Sequence, residues 1–325
     1  MPELVEVVDE LTRRRFVGSL AAIGALGGCA QATPAAPGAS GAQLAHDGGE
    51  VVLPQVPSRI VTLGEEVTEL AVALGVQPVG VGSARVDLTL GDRAFDGYYL
   101  TPAQIGKPRF VGAGPFDLEA ITAVRPDLIV HCYQDEQIRR LGEIAPTVLY
   151  EFYGATGSWQ DSLRRLGAGL ERSPQAAAAI AAYEGVVASA RSRLTDLLST
   201  ARRVAVVYPD FRGRGTNYVY AAEHSVSRPV ADIGFTVVGI EAAGVTVHAG
   251  AAGEISTELL GSLRTDTILT IGPVDWRQTP AAAVLRTVDV PVVWVPTSPA
   301  EPTTGPVTAL NRANGFVSAL LAPRG

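Results

Sequence analysis

The residues of this sequence with the most chemistry to offer are arginines and aromatic rings that stand just after apolar runs. Along the chain these are Arg85 after Val81, Tyr133 after Ile129-Val130, and Phe152-Tyr153 after Tyr150. Tyr208, Arg212, Arg214 and Tyr218 follow, then Trp276-Arg277 after Ile271, and Thr297. A guanidinium binds carboxylate or catecholate oxygens without losing its own proton, and aromatic faces cover organic groups. Such a set holds an oxygen-rich anion wrapped in an organic shell. Trp276-Arg277 and the Arg212-Gly213-Arg214-Gly215 loop are the foremost candidates. Tyr98-Tyr99 lies in a Gly- and Asp-rich loop that could form a flap, and Trp159 sits at a helix start where it could simply pack.

Other chemistries find little support. His131, His224 and His248 are scattered, whereas metal-specific sites cluster histidine and carboxylate ligands. His131 with Tyr133 could ligate a haem iron, although a histidine finishing a buried strand is the simpler reading. A metallocluster needs several cysteines, and the chain has two, Cys29 and Cys132. Cys132, at the end of an apolar run, reads as a small buried hydrophobe. No Ser-His-Asp order or Walker loop is present, and Gly64-Glu65-Glu66 after the first strand lacks the glycines of a dinucleotide turn. The formal net charge of -7 leaves no basic face for a nucleic acid.

The amino terminus reads as a leader and not as part of a fold. Thr12-Arg13-Arg14-Arg15-Phe16-Val17 has the pattern of a twin-arginine export signal, and the apolar stretch Phe16 to Leu26 ends in Leu26-Gly27-Gly28-Cys29, a lipobox-like sequence. A membrane span needs roughly 20 apolar residues, about twice this stretch. Residues 1–28 are therefore expected to be a signal peptide, with Cys29 carrying the lipid and residues 29–50 forming a flexible Ala/Pro/Gly-rich stalk that includes His46.

The elements that must position the candidate residues come from a repeat. Asp117-Leu118-Glu119-Ala120-Ile121 leading to Arg125-Pro126-Asp127-Leu128-Ile129-Val130 matches Ser256-Thr257-Glu258-Leu259-Leu260 leading to Arg264-Thr265-Asp266-Thr267-Ile268-Leu269. Leu74 to Val81 resembles Ile233 to Ile240, and Ala145 to Tyr150 resembles Val290 to Val295, in the same order. Each unit reads as a short helix capped by Asp117 or Ser256, a turn and a buried strand. The predicted fold is α/β: two lobes of mostly parallel sheet flanked by helices and joined by one long rigid helix, with a cleft between them. The N-lobe is placed at about 59–170, the linker helix at about 173–202 with Ser173 and Pro174 at its start, and the C-lobe at about 203–325. Ligands of such lobes sit beyond the carboxyl ends of the strands.

Pro57-Ser58-Arg59-Ile60-Val61-Thr62-Leu63, Thr68-Glu69-Leu70, the Leu118-to-Val130 segment and Ile144-Ala145-Pro146-Thr147-Val148 together resemble the iron-siderophore and vitamin B12 periplasmic binding proteins. The resemblance implies a class III periplasmic-binding-protein fold over 59–325 and small hinge closure. It implies the substrate-binding lipoprotein of an ABC importer: a monomer with no cofactor beyond the lipid on Cys29, held at the outer face of the cytoplasmic membrane. Glu119 and Glu258 would dock onto the permease, serving orientation and association rate more than stability. The arginine-aromatic set suits an anionic iron chelate, a ferric siderophore, better than a neutral corrinoid. Haem or cobalamin as ligand, a chelatase or reductase on the same scaffold, and an envelope scaffold or sensor that does not transport are the alternatives. A chelatase would be cytosolic, against the leader.

Overall fold

The computed structural model describes residues 42–83, 100, 102–132, 137–152, 158–211, 213, 215–243, 252–297 and 305–322. The leader, Cys29 and the first part of the expected stalk lie outside them. The described chain opens with an antiparallel hairpin, β1 (Ala42–His46) and β2 (Gly49–Leu53), joined at Asp47-Gly48. This corrects the stalk expected over 29–50. Asp-Gly between alternating apolar residues is a strong hairpin signal, and Leu44 and Leu53 are fully buried. His46 belongs to this hairpin and accepts from the Leu149 N–H at 3.3 Å.

Short apolar runs build the N-lobe sheet: β3 (Ile60–Leu63), β4 (Gly80–Ser83), β5 (Arg109–Ala113), β6 (Leu128–His131) and β7 (Thr147–Leu149), all parallel, in the order β5-β4-β3-β6-β7. Every residue of β3 and β6 is buried, as a sheet covered on both faces requires. The covering helices that matter here are α1 (Glu65–Ala73), α2 (Leu118–Ala123) and α3 (Trp159–Gly169). The hairpin lies on α3 where Gly169 lets it approach, because a Cβ there would meet the Leu44 side chain.

The linker helix α4 (Ser173–Arg193) stops short of the expected 202; Leu194 separates it from a second helix, Thr195–Thr200. Its cap position is Arg172, with no side-chain bond, and not Ser173. Its buried stripe is Ala176, Ala179, Ile180, Tyr183, Val187 and Ala190, the 3–4 spacing of one helix face. On the N-lobe side the Trp159 and Tyr183 rings meet edge to face at 5.3 Å. On the C-lobe side the Tyr183 hydroxyl donates to Asp232 at 2.7 Å, and the Arg191 guanidinium donates to Asp232 O at 2.7 Å and Ile233 O at 3.1 Å.

The C-lobe sheet comprises β8 (Arg203–Tyr208), β9 (Thr216–Tyr220), β10 (Thr236–Val238), β11 (Ala252–Ser256), β12 (Thr267–Gly272) and β13 (Val292–Pro296). Its order is β11-β9-β8-β12-β13, with β10 also pairing β8. Helices α5 (Arg228–Ile233) and α6 (Pro306–Leu321) pack on it. The repeat is visible in the pairing: β4-β3-β6-β7 in one lobe corresponds to β10-β8-β12-β13 in the other, all parallel. In both, the aspartate of the matched block clamps the first strand. Asp127 accepts from the Arg59 N–H at 2.7 Å and Asp266 from the Arg203 N–H at 2.8 Å. The preceding arginine carbonyls, of Arg125 and Arg264, accept from the guanidinium of that same first-strand arginine. The copies differ at the helix. Asp117 caps α2 by accepting from the Ala120 N–H at 2.9 Å. Ser256 is the last residue of β11 and pairs with Thr216, so it is not the expected cap; Thr257 takes the position and Glu258–Ser262 is a 3-10 turn.

One apolar cluster runs without a break from Leu44, Ile60 and Leu70 through α3 and α4 to Val204, Tyr220 and Phe316. The lobes therefore share a core along their back. No helix among the described residues is long and apolar enough to cross a membrane.

Candidate functional site

The carboxyl ends of both sheets carry the polar and aromatic groups. In the N-lobe these are Glu65 and Glu66 after β3, Ser83 on β4, His131 at the end of β6 and Cys132 just after it. All five are buried. The Ser83 hydroxyl donates to Glu65 Oε1, and the Cys132 thiol lies 3.4 Å from Glu66 Oε2 and 3.5 Å from Leu63 O. His131 is fully buried at the end of β6, opposite Leu63, with Phe116 edge-on at 5.6 Å. It is a strand residue inside the lobe. Tyr133, its proposed partner, lies outside the described residues, as do Arg85, Tyr98-Tyr99, Tyr153, Arg212, Arg214 and His248.

The C-lobe presents an aromatic edge. Tyr208 and Phe211 meet edge to face at 5.5 Å, and Tyr218 on β9 is 38% exposed. Between them the chain turns tightly. Asp210 is buried; its N–H donates to Asn217 Oδ1 at 3.0 Å, and its carboxylate accepts from the Gly215 N–H. Gly213 and Gly215 have φ of 73° and 81°, which an L side chain adopts only at a cost. Asp210 therefore pins Gly215 shortly after the carboxyl end of β8. Asp210 and Asn217, which make these bonds, escaped sequence reading; an Asp and an Asn flanking a glycine-rich sequence were the available signal.

Trp276 and Arg277 are brought together but not as expected. The Trp276 ring is 6% exposed and packs with Leu260, Leu263 and Leu285 in the outer apolar layer of the C-lobe. Arg277 is exposed, lies over the Trp276 ring at 5.3 Å and pairs with Asp275 at 2.8 Å. The 3-10 turn Trp276–Gln278, capped by Asp275, folds the ring inward. Thr297 stays at the carboxyl edge, its N–H donating to Gly272 O at 3.1 Å, beside the Trp294 indole that donates to the same carbonyl at 3.2 Å. Phe152 and Trp159 are core residues.

Glu119 and Glu258 both stand at the carboxyl edges of their sheets. Glu119 is exposed in the first turn of α2, which follows parallel strand β5. Glu258 follows β11, which runs in the sense of β8 because two antiparallel steps separate them. Its carboxylate is held below the ordinary range by its own backbone N–H and the Ser256 hydroxyl.

A hollow of about 330 Å³ beside α4 is lined by Gln160, Tyr183, Glu184, Arg191, Arg228 and Asp232, among others. Its charges answer one another: Arg228 pairs with Asp232 at 2.8 Å, and Asp232 takes the Tyr183 hydroxyl. It is a junction between helices. Among the described residues no group of His, Cys, Asp and Glu is arranged to hold a metal ion.

Residues 60–244 match the periplasmic binding protein family. The chain belongs to that family. A curated relative of this periplasmic binding protein, the probable siderophore-binding lipoprotein YfiY of Bacillus subtilis (strain 168), is 32% identical over 157 residues, 48% of this chain. The match spans about half the relative's length, 45%. Among solved structures, holo-ViuP superposes with a TM-score of 0.64 at 20% identity, over 87% of this chain and 98% of that one. The siderophore-binding protein FhuD from Vibrio cholerae, bound to Fe3+-Desferal, gives 0.63 at 17% identity, over 82% and 98%. These likenesses establish the class III periplasmic-binding-protein fold, two α/β lobes bridged by a helix.

Proposed function

We propose that this periplasmic binding protein is the substrate-binding lipoprotein of an ABC importer, capturing a ferric siderophore outside the cytoplasmic membrane and delivering it to a permease. The observation that carries the reading is the 32% match to a relative named as siderophore-binding. The aromatic edge of the C-lobe and the Arg-Gly-Arg-Gly sequence that follows it support the reading, because rings and guanidinium groups suit an oxygen-rich chelate. Arg85, Tyr133, Arg212, Arg214 and Tyr218 are the proposed cargo contacts. Trp276 is withdrawn as one, since its ring is in the core. Arg277, exposed and paired with Asp275, stays among the proposed cargo contacts. The protein is read as a carrier and not an enzyme, in keeping with a family of substrate-binding proteins.

Cys29 would hold the protein to the membrane through its lipid. Glu119 and Glu258 would meet cationic residues of the permease; their exposed, matched positions after the carboxyl ends of β5 and β11 support that role. Exposed carboxylates contribute little to stability but set orientation and encounter rate. The test is charge reversal. Glu119→Arg with Glu258→Arg is expected to reduce uptake of iron-55-labelled siderophore in cells at least tenfold while leaving siderophore binding by the purified protein unchanged. Uptake that is unaffected by the double reversal would refute docking through these residues. Uptake that persists when the protein is deleted would favour a scaffold or sensor.

A further inference from the structure

Glu69 lies on α1 in the N-lobe, deeply buried, yet its carboxylate is spent on the other lobe. Oε2 accepts from the N–H groups of Val307 at 3.0 Å and Thr308 at 2.9 Å, and Oε1 accepts from the Thr308 hydroxyl. Val307 and Thr308 form the first turn of α6, which packs on β13, α5 and α4. The first N–H groups of a helix have no partner within it and are usually met by a side chain at the cap. Here the cap position is Gly305, which has no side chain to give. A Cβ on Gly305 would run into the Glu69 carboxylate. Pro306 has no N–H, so Val307 and Thr308 carry the first donors, and Glu69 takes both.

The surroundings suit a fixed contact. Arg312, further along α6, is 2% exposed; its charge acts on Glu69, and its guanidinium donates to Ser225 O at 3.3 Å in the C-lobe. The helix dipole adds positive potential at the same end of α6. α6 also packs on α1 and α4, and the lobes share an apolar core there. Apolar packing tolerates sliding, whereas hydrogen bonds are directional, so the bonds to Glu69 add a fixed tie to that contact.

We propose that Glu69 is an interlobe latch: it serves as the missing N-cap of α6 from across the lobe boundary and so fixes the angle at which the two lobes face each other. This holds whatever the cleft carries, so the test needs no cargo. Nitroxide labels on Thr122→Cys in the N-lobe and Thr287→Cys in the C-lobe, both exposed positions, with Cys29→Ser so that the buried Cys132 is the one native thiol left, report the interlobe distance by double electron–electron resonance. Glu69→Ala is expected to broaden the distance distribution and to speed amide exchange at Val307 and Thr308 at least tenfold, with a cooperative melt retained. Glu69→Gln, which keeps an acceptor, should fall between. A folded Glu69→Ala protein with the original distribution and exchange rates would overturn the latch. If Glu69→Ala does not fold, the cycle of Glu69→Gln and Thr308→Val decides: a double variant less perturbed in exchange than the sum of the singles supports the contact, and strict additivity refutes it.

Discussion

The two lobes are built on the same four strands, and they differ in what is added. The N-lobe extends its sheet with parallel β5 and lays the β1–β2 hairpin against α3. The C-lobe instead inserts the antiparallel pair β9 and β11, and β9 begins just after Gly215. The shared parts are the strand clamps Asp127 and Asp266, which satisfy backbone groups at the amino end of each lobe's first strand. The unshared strands stand at the lateral edges of the sheets, β5 in one lobe and β9 with β11 in the other. What the duplication kept is what holds a lobe together; what differs is what was added at its flanks.

The clamps are unequal, and that gives the largest expected effect. Asp127 accepts from the Ser58 N–H and hydroxyl and the Arg59 N–H, whereas Asp266 takes the Arg203 N–H. With a net contribution of about 1–1.5 kcal/mol for each such bond in a half-exposed site, Asp127→Ala should cost about 3–4.5 kcal/mol and Asp266→Ala about 1–1.5. Urea unfolding measures both; equal losses would mean the extra bonds to Asp127 contribute nothing.

The hairpin gives the next. Leu44 is fully buried against α3, so Leu44→Ala should cost about 2–4 kcal/mol, in the range for large-to-small core changes. A leash would tolerate the same change without loss, so a silent Leu44→Ala would restore the stalk reading through residue 50.

The smallest effect concerns pH. Burial lifts the Glu69 carboxyl from 4.5 to about 7, against the Thr308 hydrogen bonds and the Arg312 charge. A group whose pKa is raised by folding contributes fully below its unfolded value and loses that contribution as pH climbs through the folded value. Glu69 should therefore cost stability between about pH 4.5 and 7. His224, lowered to about 4 by burial and by Arg312, slopes the other way, its contribution being lost as pH falls from 6.5. Comparing Glu69→Gln with the original protein at each pH isolates the first. The variant should gain on the order of 1–3 kcal/mol relative to the original between pH 5 and 8. A difference that stays constant with pH would show that Glu69 titrates normally.

Much of the fold was legible because its repeated signals are local. The Arg-x-Asp blocks, the Gly-x-x-x-Val-Gly segments at β4 and β10, and the Pro before β7 and β13 each act within a few residues of a strand end. Trp276 misled for the same reason. Its place after a strand was read correctly, but the capped turn that folds its ring into the core is set by packing against Leu260 and Leu285. The hairpin was hidden by its Ala- and Gly-rich surroundings, although Asp47-Gly48 was there to read. Glu69 left no trace, since it bonds residues 238 and 239 positions away. A chelate site drawn from loops of two lobes has no local pattern either, which is why strand-end position was the most the sequence offered for Arg85, Arg212 and Arg214.

The measurement closest to the central claim is a titration of the purified protein with ferric hydroxamates, ferric catecholates, haem and cobalamin, followed by tryptophan fluorescence. Trp294, at the carboxyl end of the C-lobe sheet beside Thr297, is a reporter there. The account predicts saturable binding of at least one ferric siderophore at micromolar concentration or below, weakened at least tenfold when Arg212 and Arg214 are both replaced by Ala. Binding of cobalamin or haem alone, with no response to any ferric siderophore, would contradict it.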